Sequence, residues 1–227
     1  ASFVRVVGNP VRAGFADPPP VADARERFGL DPALPVVLVV GGSQGAQSLN
    51  GAMEQALPGF SPDEVQFLWM TGTSGLDRAK EVAAQCVARA LVFPFIDDMV
   101  AACAAADLIV ARAGASTTAE IALIGRASVL VPYPHATDNH QEQNARAFET
   151  AGAAWVLEDA LCTGDALAGL IRDALGNPEE LARRAQAARA LAKPAAAEQI
   201  VEEMMLHVFG DTAAAPPDSE GSTTEVY

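Results

Sequence analysis

Apolar residues follow two alternating rhythms along the chain. Short unbroken runs rich in β-branched residues, such as Pro35-Val36-Val37-Leu38-Val39-Val40, recur near 36–40, 65–71, 90–93, 107–111, 128–132 and 154–157. Runs of this length predict strands of a parallel sheet buried on both faces. Between and after them the apolar spacing lengthens to a helical period, at 48–57, 76–86, 97–105, 116–125, 139–151, 163–176, 178–192 and 195–208. The alternation predicts an α/β fold built on a Rossmann-like, doubly wound parallel sheet. Ligands of such sheets sit beyond the carboxyl ends of the strands. The last three helices have no strands between them and are expected to form a cap or to run back toward a partner domain.

Two loops at strand ends carry candidate chemistry. The strand near 107–111 leads into Arg112-Ala113-Gly114-Ala115-Ser116-Thr117-Thr118-Ala119-Glu120. Gly114 allows a sharp turn, and Ser116 or Thr117 is the expected N-cap of a helix from Thr118 to Gly125. The free N–H groups at such a helix start favour a phosphate. Glu120, about one turn after Ser116, can offer both carboxylate oxygens to a ribose diol. A capped turn carrying a solvated Glu fits the same residues, and this segment alone leaves both readings open. The second loop, Gly41-Gly42-Ser43-Gln44-Gly45-Ala46, follows the strand at 36–40 and can turn main-chain N–H groups and the Ser43 hydroxyl toward an anion. It lacks the Gly-Lys-Ser/Thr ending of a P-loop. It also lacks the Gly-x-Gly-x-x-Gly spacing of a dinucleotide fold, and no acid closes the strand near 65–70.

Composition limits the partners. A chain of 227 residues can bury one substantial α/β core and has room for one or two domains. Its formal net charge of −14 argues against a nucleic-acid partner. An anionic ligand would be held locally, by Arg12, Arg112 and helix N-termini, against an unfavourable overall field. The three cysteines, Cys86, Cys103 and Cys162, have no metal spacing and read as buried thiols of a reducing compartment. No signal peptide and no membrane-spanning run is apparent. A first residue of Ala1 rather than Met fits either a processed terminus or a piece of a longer protein. Residues 211–227 carry four acids, no base and two prolines and are expected to be a disordered tail. Asp97-Asp98 could be a metal-binding pair, but its place directly before Met99, Val100 and Cys103 favours a helix N-terminus.

Six ordered blocks bring these loops together: Gly8-Asn9-Pro10-Val11-Arg12, residues 39–46, Phe95-Ile96-Asp97-Asp98-Met99, Arg112 to Glu120, residues 131–145, and Ala151-Gly152-Ala153-Ala154. In this order they closely resemble the MurG family, the glycosyltransferases that add N-acetylglucosamine to lipid-linked muramyl-pentapeptide in bacterial peptidoglycan synthesis. The resemblance implies the carboxyl-terminal half of a two-domain GT-B enzyme, with residues 1–12 as interdomain linker and 13–210 as the UDP-sugar domain. The family's amino-terminal Gly-x-Gly-Gly-His loop, with its candidate base, is absent. The chain is therefore expected to bind donor and not to turn over alone, and no catalytic residue is assigned within it.

The resemblance also implies site roles. Arg12 would stabilise the diphosphate leaving group, Ser43 and Gln44 would line the cleft, and Ile96 would lie against uracil unless it simply packs in the core. Ala115, Ser116, Thr117, Thr118, Ala119 and Glu120 would hold the α-phosphate and ribose. His140 and Gln141 would meet sugar hydroxyls, with the register open by one residue. The implied partners are UDP-N-acetylglucosamine and a lipid-linked acceptor at the cytoplasmic face of the inner membrane, reached through the amino-terminal half. No metal or other cofactor is implied. Two alternatives stay open, a GT-B-like UDP-sugar epimerase and the donor-binding subunit of a split transferase. The apolar positions Ile200, Val201, Met204, Met205 and Val208 would either dock the other half or pack into the core.

Overall fold

Every residue of strand β1, Val36–Val40, is buried, as the unbroken apolar run requires of a strand covered on both faces. In the computed structural model, which describes residues 5–42 and 46–209, five further strands join it: β2 (Gln66–Met70), β3 (Arg89–Phe93), β4 (Leu108–Ala111), β5 (Ala127–Leu130) and β6 (Ala154–Val156). All pairings are parallel, in the order β3-β2-β1-β4-β5-β6. Chain order reverses between β1 and β4, where Val37 pairs with Leu108 and Val40 with Ala111. A crevice must open at the carboxyl edge there, because the connections after β1 and β4 leave toward opposite faces.

Alternate residues of β1 feed two cores. Val36, Leu38 and Val40 pack under α1 (Val21–Arg27), α4 (Met99–Ala105), α5 (Ala115–Ile124), α6 (His140–Thr150) and α8 (Pro178–Ala190). Val37 and Val39 face α2 (Gln47–Ala56), α3 (Leu76–Gln85) and α7 (Gly164–Leu175). Each of these buried aliphatic side chains contributes about 1.5–3 kcal/mol. Thus α7 and α8 belong to the two helical layers rather than to a separate cap. Helix α1 has no counterpart in the apolar pattern: Ala24 alone is buried, and Pro20 stands at its N-cap. After α8, helix α9 (Ala196–Phe209) leaves Val201, Met204, Met205, Leu206 and Val208 exposed, so these positions do not pack into the core. An Arg5–Glu203 ion pair holds α9 beside the linker. Among the described residues no helix is long and apolar enough to cross a membrane. The expected tail, residues 211–227, lies outside them.

Helix α4 shows how polar groups are paired off in this core. Ala101 to Ala105 are buried on all sides, so the helix ends need internal partners. At the start, the Asp98 carboxylate accepts from Ala101 N at 3.0 Å and pairs with Arg27 at 2.9 Å, which makes it a cap. At the end, Arg126 donates to the carbonyls of Cys103 and Ala104, and Arg25 donates to that of Ala105 while pairing with Asp107. Burial lowers the Arg126 pKa, so this guanidinium is retained against a desolvation cost. Arg126→Ala leaves two buried carbonyls unpartnered and is expected to cost about 1–3 kcal/mol in a urea titration. An unchanged midpoint would contradict this account of the cap.

Candidate functional site

The chain leaves β1 through Gly41 and Gly42, whose φ of +86° is a conformation that suits glycine and little else. Ser43 and Gln44 lie outside the described residues. Helix α2 then runs back along the sheet. It is fixed to the end of β2 by Asn50, which donates to Thr71 O at 2.9 Å and accepts from Trp69 Nε1 at 3.2 Å.

Beside it, β4 ends in Arg112-Ala113-Gly114 and α5 begins. Here the expected capping is wrong. Gly114 occupies the N-cap, the helix spans Ala115–Ile124, and no side chain caps it. Ser116 instead accepts from Asn9 Nδ2 of the linker at 3.2 Å, and Thr118 Oγ1 bonds back to the carbonyls of Gly114 and Ala115. The first-turn N–H groups of Ala115, Ser116 and Thr117 therefore have no intrahelical partner, and the positive end of the helix is left for an anion. Gly125 ends α5 in the left-handed region at φ +65°, against Arg189.

Glu120 lies one turn further on, with its side chain 22% exposed and Oε1 3.8 Å from Arg12 Nη2. Burial raises its pKa, and the Arg12 charge opposes that shift. Arg12 itself is exposed and lies over the ring of buried Phe15, 5.6 Å from its centroid. Asn9 and Arg12 thus carry the linker across the first turns of α5. A cleft of about 220 Å³ opens under the linker between α5 and α6; Asn9, Ala115, Thr118, Ala119, Asn144 and Lys193 are among its lining residues.

The start of α6 forms another wall. Asp138 and Asn139 both adopt left-handed backbone, at φ 51° and 55°. Two such residues in succession are costly and recur where a loop is shaped for a task. The exposed His140 ring places Nδ1 2.7 Å from Thr137 O, a carbonyl that can only accept, so this nitrogen carries the hydrogen of the contact. Gln141 accepts from Tyr133 N through Oε1 at 3.0 Å, which leaves its amide hydrogens available. Asn144 donates to Ala113 O at 3.0 Å and ties α6 to the α5 turn.

Two expected ligands behave differently. Ile96 is only 3% exposed and belongs to the core, so its side chain is not available to a base. The neighbouring Phe95 is 54% exposed beyond the end of β3. Sequence reasoning passed over it, although an aromatic set before an acid pair and outside the helical period was a usable signal. Arg112 is not a free anion receptor. Its guanidinium is 11% exposed and is bound to Asp159, Ser48 and the carbonyls of Val131 and Pro132, with Tyr133 stacked 5.5 Å away. Cys103 and Cys162 are buried and burial raises both thiols, that of Cys162 to about 11, so neither is a nucleophile; Cys86 is half-buried.

The glycosyltransferase family 28 C-terminal domain matches residues 36–200. A curated relative from Syntrophotalea carbinolica, named UDP-N-acetylglucosamine–N-acetylmuramyl-(pentapeptide) pyrophosphoryl-undecaprenol N-acetylglucosamine transferase, is 43% identical over 199 residues, which is 86% of this chain and 53% of the relative. The crystal structure of Acinetobacter baumannii MurG superposes with a TM-score of 0.72 at 33% identity, over 84% of this chain and 54% of that one. A UDP-N-acetylglucosamine 2-epimerase structure shares the fold alone, with a TM-score of 0.56 at 16% identity over 88% of this chain and 49% of that one. The chain spans about half the length of the curated relatives it matches. It belongs to the glycosyltransferase family 28 C-terminal domain family and has the fold of the carboxyl-terminal half of a GT-B glycosyltransferase.

Proposed function

We propose that this chain is the donor-binding half of an inverting glycosyltransferase that moves N-acetylglucosamine from UDP to a lipid-linked muramyl-pentapeptide in peptidoglycan synthesis. The observation that carries the reading is the meeting of three features at one end of α5: an uncapped first turn, the half-buried Glu120 carboxylate, and Arg12 from the linker. The first turn receives the α-phosphate and Glu120 the two ribose hydroxyls, while the main chain beside Ile96 faces uracil. Gln141 and His140 meet the sugar hydroxyls. Ser43 and Gln44 would add to the phosphate side.

In the reaction the acceptor hydroxyl attacks the anomeric carbon and UDP departs from the opposite face. Negative charge grows on the diphosphate as the bond breaks. The α5 amides would stabilise it without reorganisation, since the helix fixes them beforehand, and the loosely held Arg12 would turn to the diphosphate as it arrives. Arg12 sits on the linker, so the same residue can serve both the leaving group and the approach of the acceptor half. That half, and with it the base and the contact with the cytoplasmic face of the membrane, belongs to sequence outside this chain. The epimerase alternative has fold-level likeness alone behind it.

Calorimetric titration with UDP-N-acetylglucosamine and UDP-glucose is expected to give saturable binding that favours the N-acetyl sugar. A folded chain that takes neither would defeat the reading. Glu120→Ala is expected to weaken UDP binding about 10- to 100-fold, the loss of two charge-assisted hydrogen bonds of about 1.5–3 kcal/mol in sum. Its folding stability should be unchanged or slightly higher, because burial of the Glu120 carboxylate carries a desolvation cost. The raised pKa also fixes a pH dependence. Glu120 takes up its proton above the usual 4.5, so UDP affinity should begin to fall at a higher pH than an exposed carboxylate would give. Titrations across that range with Glu120→Gln should lack this component; identical pH profiles for the two proteins would remove Glu120 from the site.

A further inference from the structure

The Arg112 guanidinium gathers segments that are distant in sequence but adjacent at the carboxyl edge of the sheet. Its Nη1 is 2.5 Å from Asp159 Oδ1 and donates to Val131 O at 3.1 Å and Pro132 O at 3.3 Å. Its Nη2 donates to Ser48 Oγ at 2.7 Å, and that hydroxyl in turn donates to Asp159 Oδ1 at 2.6 Å. Ser48 lies in the first turn of α2, Arg112 two residues before the α5 N-cap, Val131 and Pro132 just after β5, and Asp159 in the short turn between β6 and α7. One planar fork therefore spans the exits of β1, β4, β5 and β6.

Such a fork can hold fixed angles among its partners, as a lysine ammonium could not. It can do so only while its charge is answered. The two side chains are 11% and 20% exposed, so loss of the carboxylate would strand a mostly buried cation. The guanidinium would then turn toward water or toward any anion at the edge, and its bonds to Ser48 and the carbonyls would be given up.

We propose that Asp159 is a positioning residue for the donor site: by neutralising and orienting Arg112 it sets the spacing between the first turns of α2 and α5. This rests on the donor reading given above. The electrostatic consequence is that the phosphates meet main-chain amides and Arg12, while Arg112 stays committed to the scaffold.

The test uses this chain with Asp159→Ala, Asp159→Asn and Asp159→Glu, followed by amide hydrogen exchange and by UDP titration. In Asp159→Ala, exchange should quicken about 10-fold or more in residues 46–53 and 112–118 while α3 and α8 keep their protection. UDP affinity should fall about 10-fold or more. Asp159→Asn, which keeps an acceptor but no charge, should fall between, and Asp159→Glu should recover most of the loss. If Asp159→Ala loses protection everywhere, Ser48→Ala removes one arm of the cluster without stranding a charge, and the same two segments should still be the ones affected. Unchanged exchange in both segments would overturn the proposal, as would faster exchange with unchanged UDP affinity. A wild-type chain that takes no UDP would defeat the donor reading and this proposal with it, whatever the exchange shows.

Discussion

The pairing of β1 with β4 is the constraint on which everything else rests. Both strands are buried throughout, and their register sets Val40 beside Ala111, so the two following connections must leave side by side. Helix α2 then packs on one face of the sheet and α5 on the other. A crevice at this point follows from topology before any side chain is chosen. What the side chains decide is whether the edge favours an anion, and here the uncapped α5 turn with Arg12 close by does so in a strongly acidic protein.

Charge is distributed accordingly. Most of the arginines are spent on the scaffold: Arg25 and Arg126 cap α4, Arg189 donates to the end of α5, Arg184 lies over Trp155 and donates to Ala154, and Arg112 clamps the strand exits. Arg12, by contrast, is exposed and rests on a long contact to Glu120 and the face of Phe15. A loosely held cation next to a half-buried carboxylate is suited to change partners when a diphosphate and a ribose arrive together. On the donor reading proposed above, Arg12 would pass to the phosphate as the ribose hydroxyls take over Glu120.

The strands were readable from sequence because burial on both faces makes each an unbroken apolar run, and all six occur within a residue or two of their expected places. Most helices were readable from their period. Helix α1 was not, since it buries only Ala24 and four of its seven residues are charged. The start of α5 was misjudged for a physical reason: Ser116 has the right chemistry for a cap, but Asn9, more than a hundred residues away in sequence, binds it instead. The commitment of Arg112 was hidden in the same way, because Ser48 and Asp159 are distant in sequence and only the sheet brings them together. Ile96 shows the limit of a motif: the block placed the residue at the right loop, while burial of its side chain depends on the packing of α4.

The most direct measurement is a crystal structure of this chain with UDP bound. The account predicts both ribose hydroxyls within hydrogen-bonding distance of Glu120, the α-phosphate on the first-turn amides of α5, and the Arg112–Asp159 pair unbroken. UDP bound elsewhere, or a phosphate resting on Arg112 with Asp159 displaced, would contradict it.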